Sequence, residues 1–175
     1  MDWKRNESTK AVFLDRDGVL CEDTDYVTSF EKLHIFPFAR EAIDLIHEKG
    51  YLAIVVTNQS AVARGMMSEN KLRELNCYLQ KRIGVDAIYY CPHLPPNGKI
   101  VLPYQIHCEC RKPNIGMLKQ AAFDYGIDMQ VSYMVGDRES DIQAGKNAGV
   151  TPILISNVKK DIETYRTIYE FAESL

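Results

Sequence analysis

The stretch AVFLDRDGVLCEDTDYV runs four apolar residues into Asp15, Arg16, Asp17 and Gly18. Two carboxylates two residues apart, at the exit of a short strand, can do more than shape a turn. They can bind a hard divalent cation, or share nucleophilic and acid–base work. Aspartate and glycine are also ordinary turn residues, so the pair decides nothing alone. Two further groups at strand exits do. Thr57 ends the β-branched run YLAIVVT, and Asp137 follows SYMVG.

Three carboxylates and a hydroxyl gathered in this way form an oxygen-rich site suited to Mg²⁺. A divalent ion would relieve the mutual repulsion of the carboxylates. A carboxylate can attack phosphorus once cations screen the phosphoryl oxygens. A second carboxylate can protonate the departing oxygen and then activate water. Thr57 and Lys112 offer a hydroxyl and an ammonium to the phosphoryl group. Pro113 biases Lys112 toward extended backbone, away from the helix that follows.

The elements that must position these groups alternate. Strands are expected at Ala11–Leu14, Tyr51–Thr57, Ala87–Tyr90, Ser132–Gly136 and Thr151–Ile155. Helices are expected at Phe38–Lys49 before Gly50, from an N-cap at Ser68 to Ile83 before Gly84, and at Ile115–Tyr125 and Ser140–Asn147. The tail, Asp161–Leu175, reads as one amphipathic helix. This alternation predicts an α/β fold, a doubly wound Rossmann-like parallel sheet with helices on both faces. Ligands bind such sheets outside the carboxyl ends of the strands, at a topological switch point.

With 175 residues, 46% of them hydrophobic, the chain can bury one core, and a single domain over 1–175 is expected. No separate cap domain fits. A formal charge of −3 gives no basic footprint for nucleic acid. No apolar run approaches the ~20 residues of a membrane span, and the polar start lacks a signal peptide's apolar segment. A cytoplasmic monomer is therefore the expectation, acting on a small phosphorylated substrate, with neither nucleic acid nor membrane as partner.

The segment Cys91–Pro113 holds five of the seven prolines and cannot be a regular element. Cys91 and His93 are spaced i, i+2, as are Cys108 and Cys110. That spacing is tighter than the usual zinc-site pairs, but a proline-rich insert has little core in which to pack thiols. His107 is the rival ligand. Adjacent residues rarely reach one ion, so His93 is preferred beside Cys108. Four protein ligands make the Zn²⁺ structural, fixing the loop that carries Arg111 and Lys112. Cys21 and Cys77 are read as packing residues.

In order, LDRDGVL, VVTNQS, the lysine of CRKP, and MVGDRESD resemble the four motifs of the haloacid dehalogenase superfamily of phosphatases. TNQSAVARG, YYCPH, CECRKP and SYMVGD more closely resemble its heptose bisphosphate phosphatases and the related histidinol phosphatases. The likeness spans roughly residues 10–157, and the two Cys and His pairs match the zinc loop of the former position for position. It implies removal of the 7-phosphate of D-glycero-D-manno-heptose 1,7-bisphosphate, a step toward nucleotide-activated heptose for lipopolysaccharide core or surface glycans. Asp15 would be the nucleophile that becomes the aspartyl-phosphate, and Asp17 the general acid and then base. Mg²⁺ would be held by the Asp15 carboxylate, the Asp17 backbone carbonyl and Asp137. Thr57 and Lys112 would stabilise the phosphoryl group, and Arg111 would contribute to substrate recognition. The substrate-contacting positions implied are the run Asp15, Arg16 and Asp17, the segment Asp23, Thr24, Asp25 and Tyr26, the run Thr57, Asn58, Gln59 and Ser60, then Arg111, Lys112 and Arg138.

The chain departs from that pattern at Thr24 and Asp25, where the family often has His-Gly. Asp141 is read either as a carboxylate at a helix N-terminus or as a partner orienting Lys112, outside the metal shell. Two other functions compete. Histidinol phosphate or another small phosphomonoester would keep the mechanism. A phospho-accepting receiver module shares the sheet, the aspartate, the threonine and the Lys-Pro pair, but gains nothing from Asp17 or a zinc loop.

Overall fold

Val12 and Leu14 face one side of the first strand and Ala11 and Phe13 the other, and all four are fully buried. Such a strand needs cover on both faces, as parallel sheets have. The computed structural model describes residues 8–96 and 103–175. Its elements run β1 (Lys10–Leu14), α1 (Ala39–Glu48), β2 (Tyr51–Asn58), α2 (Glu69–Ile83), β3 (Ala87–Cys91), α3 (Gly116–Tyr125), β4 (Tyr133–Gly136), α4 (Glu139–Ala148), β5 (Thr151–Ile155), β6 (Thr164–Tyr165) and α5 (Ile168–Ser174).

The six strands form one parallel sheet in the order β3-β2-β1-β4-β5-β6. The order reverses between β1 and β4, which is the switch point. One face carries α1, α2 and α5 on Val12, Leu14, Ala53, Val55 and Val135. The other carries α3 on Ala11, Phe13, Ile54, Val56 and Met134. Gly145 of α4 lies against Met134 and Pro152 on that second face. The period-2 alternation of strand side chains thus divides the apolar residues into two cores.

Local chemistry sets the helix ends. The Ser68 hydroxyl accepts from Lys71 N at 3.1 Å, and Gly84 closes α2 at φ 82°. The tail differs from expectation. Its residues 164–165 pair with Leu154 and Ile155 as a sixth strand, and helix begins only at Ile168, capped by the Thr167 hydroxyl. Thr164 and Tyr165 are good strand formers beside an open sheet edge, and that edge outweighs helical periodicity. Among the described residues, no helix is long and apolar enough to cross a membrane.

Candidate active site

Asp15 leaves β1 at the switch point, with its backbone N–H donating to Val135 O of β4 at 2.9 Å. Its carboxylate Oδ1 lies 3.0 Å from Lys112 Nζ, and both side chains are almost wholly buried. Lys112 Nζ also donates to Val56 O at 2.7 Å and lies 2.7 Å from Asp141 Oδ1. Asn58 pins the lysine's backbone to the end of β2: it accepts from Lys112 N at 3.0 Å and donates to Lys112 O at 3.1 Å. Asp141 is held in turn by Arg138 N, which donates to its Oδ2 at 3.1 Å across the first turn of α4. Asp141 therefore caps its helix and faces Lys112 at once.

Asp137 completes the acidic group. Carboxylate oxygens of Asp15, Asp137 and Asp141 lie within 4.8 Å of one another. Asp137 Oδ1 is buried and makes no hydrogen bond among the described residues. Burial, and then the Asp15 and Asp141 charges, push the Asp137 pKa up to about 7. Burial likewise raises Asp15 to about 6, against the pull of Lys112 and with the push of Asp141 and Asp17. An orphaned oxygen among crowded carboxylates is the setting a divalent cation relieves. Gly18, at φ 82°, lets the chain pass directly against the Asp137 carboxylate, where a Cβ would collide.

Asp17 differs from its neighbours. Burial acts to raise its pKa, but Arg16 beside it and hydrogen bonds from Arg16, Gln59 and Cys21 hold it below the ordinary carboxylate range. Burial also works against a charged Lys112, but Asp15 and Asp141 outweigh it and raise the lysine's pKa.

A cavity of about 320 Å³ opens over these groups. Asp23, Asp25, Tyr26, Asn58, Gln59 and Ser60 line it beside Asp15, Asp17 and Lys112. Arg111, Arg138 and Arg64 bring three guanidiniums to its wall. Arg138 is ion-paired with Asp23, and Arg111 donates to His93 O at 3.2 Å.

Behind Arg111, the Cys91, Cys108 and Cys110 sulfurs and a His93 ring nitrogen lie within 4.8 Å of one another. Cys91 Sγ is 3.5 Å from Cys108 Sγ and 3.1 Å from Cys110 Sγ, and His93 Nδ1 is 3.3 Å from Cys110 Sγ. Tetrahedral zinc with ~2.3 Å bonds to sulfur separates its thiolates by roughly 3.8 Å, so this set needs little adjustment. Close pairing with Cys91, and then with His93 and Cys108, pushes the Cys110 pKa down to about 5.

A HAD-hydrolase-like family model matches residues 109–172. A Haemophilus ducreyi protein, D-glycero-beta-D-manno-heptose-1,7-bisphosphate 7-phosphatase, is 43% identical over 157 residues, covering 86% of this chain and 85% of that one. A Campylobacter jejuni relative, named for the alpha anomer, is 38% identical over 173 residues, covering 95% of this chain and 94% of its own. The chain belongs to the heptose-1,7-bisphosphate 7-phosphatase family. It is a phosphatase of the haloacid dehalogenase type. The crystal structure of the B. bronchiseptica D,D-heptose 1,7-bisphosphate phosphatase, complexed with magnesium and phosphate, superposes with a TM-score of 0.80 at 29% identity, over 95% of this chain and 97% of that one.

Set beside the sequence expectations for this phosphatase, most residues converge and a few do not. Arg16 was expected to touch substrate, but its side chain is fully buried and does not line the cavity. Its guanidinium is engaged beneath the cavity by Asp17, Gln59 and Asn76. Thr24 also does not line the cavity, its hydroxyl lying 3.5 Å from Lys32 O. Thr57 is buried behind Gln59, whose Nε2 donates to its Oγ1 at 3.0 Å. Asp25 sits at φ 49° and Tyr26 at φ 80°. That left-handed turn explains the family's glycine at the Asp25 position, and aspartate is among the side chains that tolerate it best. Arg64 and Ser140 line the cavity and were missed. Arg64 lies seven residues past Thr57 in AVARG, where only a basic residue near a strand exit hinted at a role. Cys21, read as packing, also places its Sγ 3.4 Å from Asp17 Oδ1.

Proposed function

We propose that this phosphatase removes the 7-phosphate of D-glycero-D-manno-heptose 1,7-bisphosphate through an aspartyl-phosphate on Asp15. The observation that carries the reading is Lys112, fixed between Asp15 and Asp141 beneath a cavity walled by three arginines. A monophosphate needs one cationic clamp, which Lys112 supplies. Further guanidiniums at the wall suit a second anionic group.

Asp15 Oδ attacks phosphorus, and the bond from phosphorus to the sugar oxygen breaks. Its partners favour the ionised form of Asp17. It therefore acts first from the small protonated fraction, giving that proton to the leaving oxygen. As the ionised base it then takes one from the water that attacks the aspartyl-phosphate, releasing inorganic phosphate and restoring Asp15. Lys112 and Thr57 bear on the phosphoryl oxygens as charge moves. The residues that would hold Mg²⁺ are Asp15, the Asp17 backbone carbonyl and Asp137, and the unpaired Asp137 Oδ1 supports that fit. When bound, Mg²⁺ would neutralise charge on the phosphoryl group and among the carboxylates.

Cys91, His93, Cys108 and Cys110 would hold a structural Zn²⁺. With four protein ligands it would have no open position for substrate. Its role would be to brace the segment that delivers Arg111 and Lys112. One six-stranded sheet carries the site residues, which supports a single catalytic domain. Asp15, Asp17, Lys112 and Asp137 all come from one chain, which supports action as a monomer.

The relatives include enzymes named for both anomers, so the test pairs α and β heptose 1,7-bisphosphates with histidinol phosphate and measures released phosphate. A higher kcat/KM for one heptose bisphosphate is expected. Preference for histidinol phosphate would overturn the substrate assignment.

A further inference from the structure

Arg16 lies between the two reacting aspartates in sequence, yet its guanidinium has no solvent exposure. Its Nε donates to Asp17 Oδ1 at 3.0 Å and its Nη2 to Asp17 Oδ2 at 3.0 Å, a fork gripping both carboxylate oxygens. The same Nη2 donates to Gln59 Oε1 at 3.0 Å. On the far side Nη1 donates to Asn76 Oδ1 at 3.0 Å, from the middle of α2. Gln59 closes the ring: its Nε2 donates to Asp17 Oδ2 at 2.7 Å and to Thr57 Oγ1 at 3.0 Å.

Burying a guanidinium is costly unless its donors are paired, and a cation meant for substrate would face the cavity. Asn76 carries the argument further. It is buried in a helix whose other buried residues are Leu72, Leu75, Leu79 and Ile83, and its Nδ2 has no partner among the described residues. A leucine there would remove the unpaired Nδ2 but strand the buried Arg16 Nη1, so the feature Asn76 supplies is its carbonyl oxygen, and that oxygen goes to Arg16.

A carboxylate turns about two single bonds, and acid–base catalysis loses rate when the proton's path is misaligned. The bidentate fork fixes the plane of Asp17. Gln59 sets its distance from Thr57, the hydroxyl assigned to the phosphoryl group. We propose that Arg16, anchored by Asn76, is a positioning residue that holds the plane of Asp17 beside the leaving oxygen. Asp17 gives up one of its four donors, from Arg16, Gln59 and Cys21, when it carries the proton. The chain of contacts runs from α2 to the reacting groups without touching substrate. This inference rests on the assignment of Asp17 as general acid.

The test compares leaving groups. An alkyl phosphate, heptose 1,7-bisphosphate or histidinol phosphate, must have its leaving oxygen protonated, whereas p-nitrophenyl phosphate releases a stable phenolate. The value of kcat/KM reports the step that breaks this bond. Asn76→Ala and Arg16→Lys should lower kcat/KM for the alkyl phosphate by about tenfold or more, and for p-nitrophenyl phosphate by no more than about threefold, a milder copy of Asp17→Asn. Asn76→Ala suits the helix, so it tests the idea even where Arg16→Lys does not fold. Equal losses on both substrates, with Asp17→Asn still discriminating between them, would overturn the positioning role and leave the acid assignment standing. No discrimination by Asp17→Asn itself would overturn both.

Discussion

Lys112 Nζ stands 2.7 Å from Asp141 Oδ1, nearer than its 3.0 Å approach to Asp15 Oδ1. The lysine thus has a fixed counterion besides the nucleophile. It can turn toward phosphoryl oxygens while Asp141 keeps it charged and in place. Removing one partner of such a buried pair typically costs ~3–5 kcal/mol. Asp141→Asn leaves Lys112 paired with Asp15 and removes a charge that repels Asp15 and Asp137, so it should lower stability in urea unfolding by well under that amount. Lys112→Met should cost ~10²–10³ in kcat, the scale for losing one group that stabilises transition-state charge.

The acidic cluster predicts an unusual pH response. Asp15 and Asp137 have folded-state pKa values raised from 3.8 to about 6 and about 7. Each therefore holds its proton more tightly folded than unfolded. The stability this gives is full below pH 3.8 and is lost as pH rises through 6 to 7. Mg²⁺ should reverse that loss by pairing with the ionised carboxylates. In melting experiments, added Mg²⁺ should raise Tm clearly at pH 8 and little at pH 5. An equal rise at both would contradict the cluster as its site. About 3 °C corresponds to roughly 1 kcal/mol in a chain of this size.

The Cys and His cluster should bind one Zn²⁺ per chain, measured by elemental analysis. Cys108→Ser should lower activity far more than helical content, because Cys108 is only partly buried at the edge of the α3 core. His93→Ala should lose the metal and His107→Ala keep it, since His93 lies with the three thiols. The opposite pair of results would mean that the ligand is misassigned. Catalysis should require added Mg²⁺ whether or not zinc is bound.

Arg111 reaches the cavity wall from the zinc-braced segment. Arg111→Ala should raise KM for the bisphosphate by about tenfold, the weight of one charged hydrogen bond. The effect on a monophosphate should be smaller. Equal effects would argue against a second anionic group in contact with this residue.

Much of this was legible in the chain. Strand β2 and the Ser68 and Gly84 caps follow from β-branched runs and local turn chemistry. Convergence of Asp15, Asp137 and Lys112 follows from strand order once a parallel sheet is assumed. The resemblance places Arg16 among substrate contacts, and nothing in the sequence pattern shows that its side chain is engaged by Asp17, Gln59 and Asn76. The strand at Thr164 was hidden because two residues carry no periodicity, and its pairing depends on where β5 ends. Arg64 was missed because its approach to the cavity depends on a turn after β2 that leaves no repeating pattern. Asp141 carried two readings, and the geometry joins them, since one oxygen caps α4 and the other faces Lys112.

The central claim is a phosphoryl group carried on Asp15. Asp17→Asn should slow hydrolysis of that intermediate enough for it to accumulate during turnover. Quenching the variant with hydroxylamine converts an acyl phosphate to a hydroxamate, which peptide mass spectrometry locates. A hydroxamate at Asp15 is expected, dependent on substrate and Mg²⁺. A hydroxamate at another carboxylate, or none while Asp15→Asn retains a tenth of wild-type kcat, would contradict that claim.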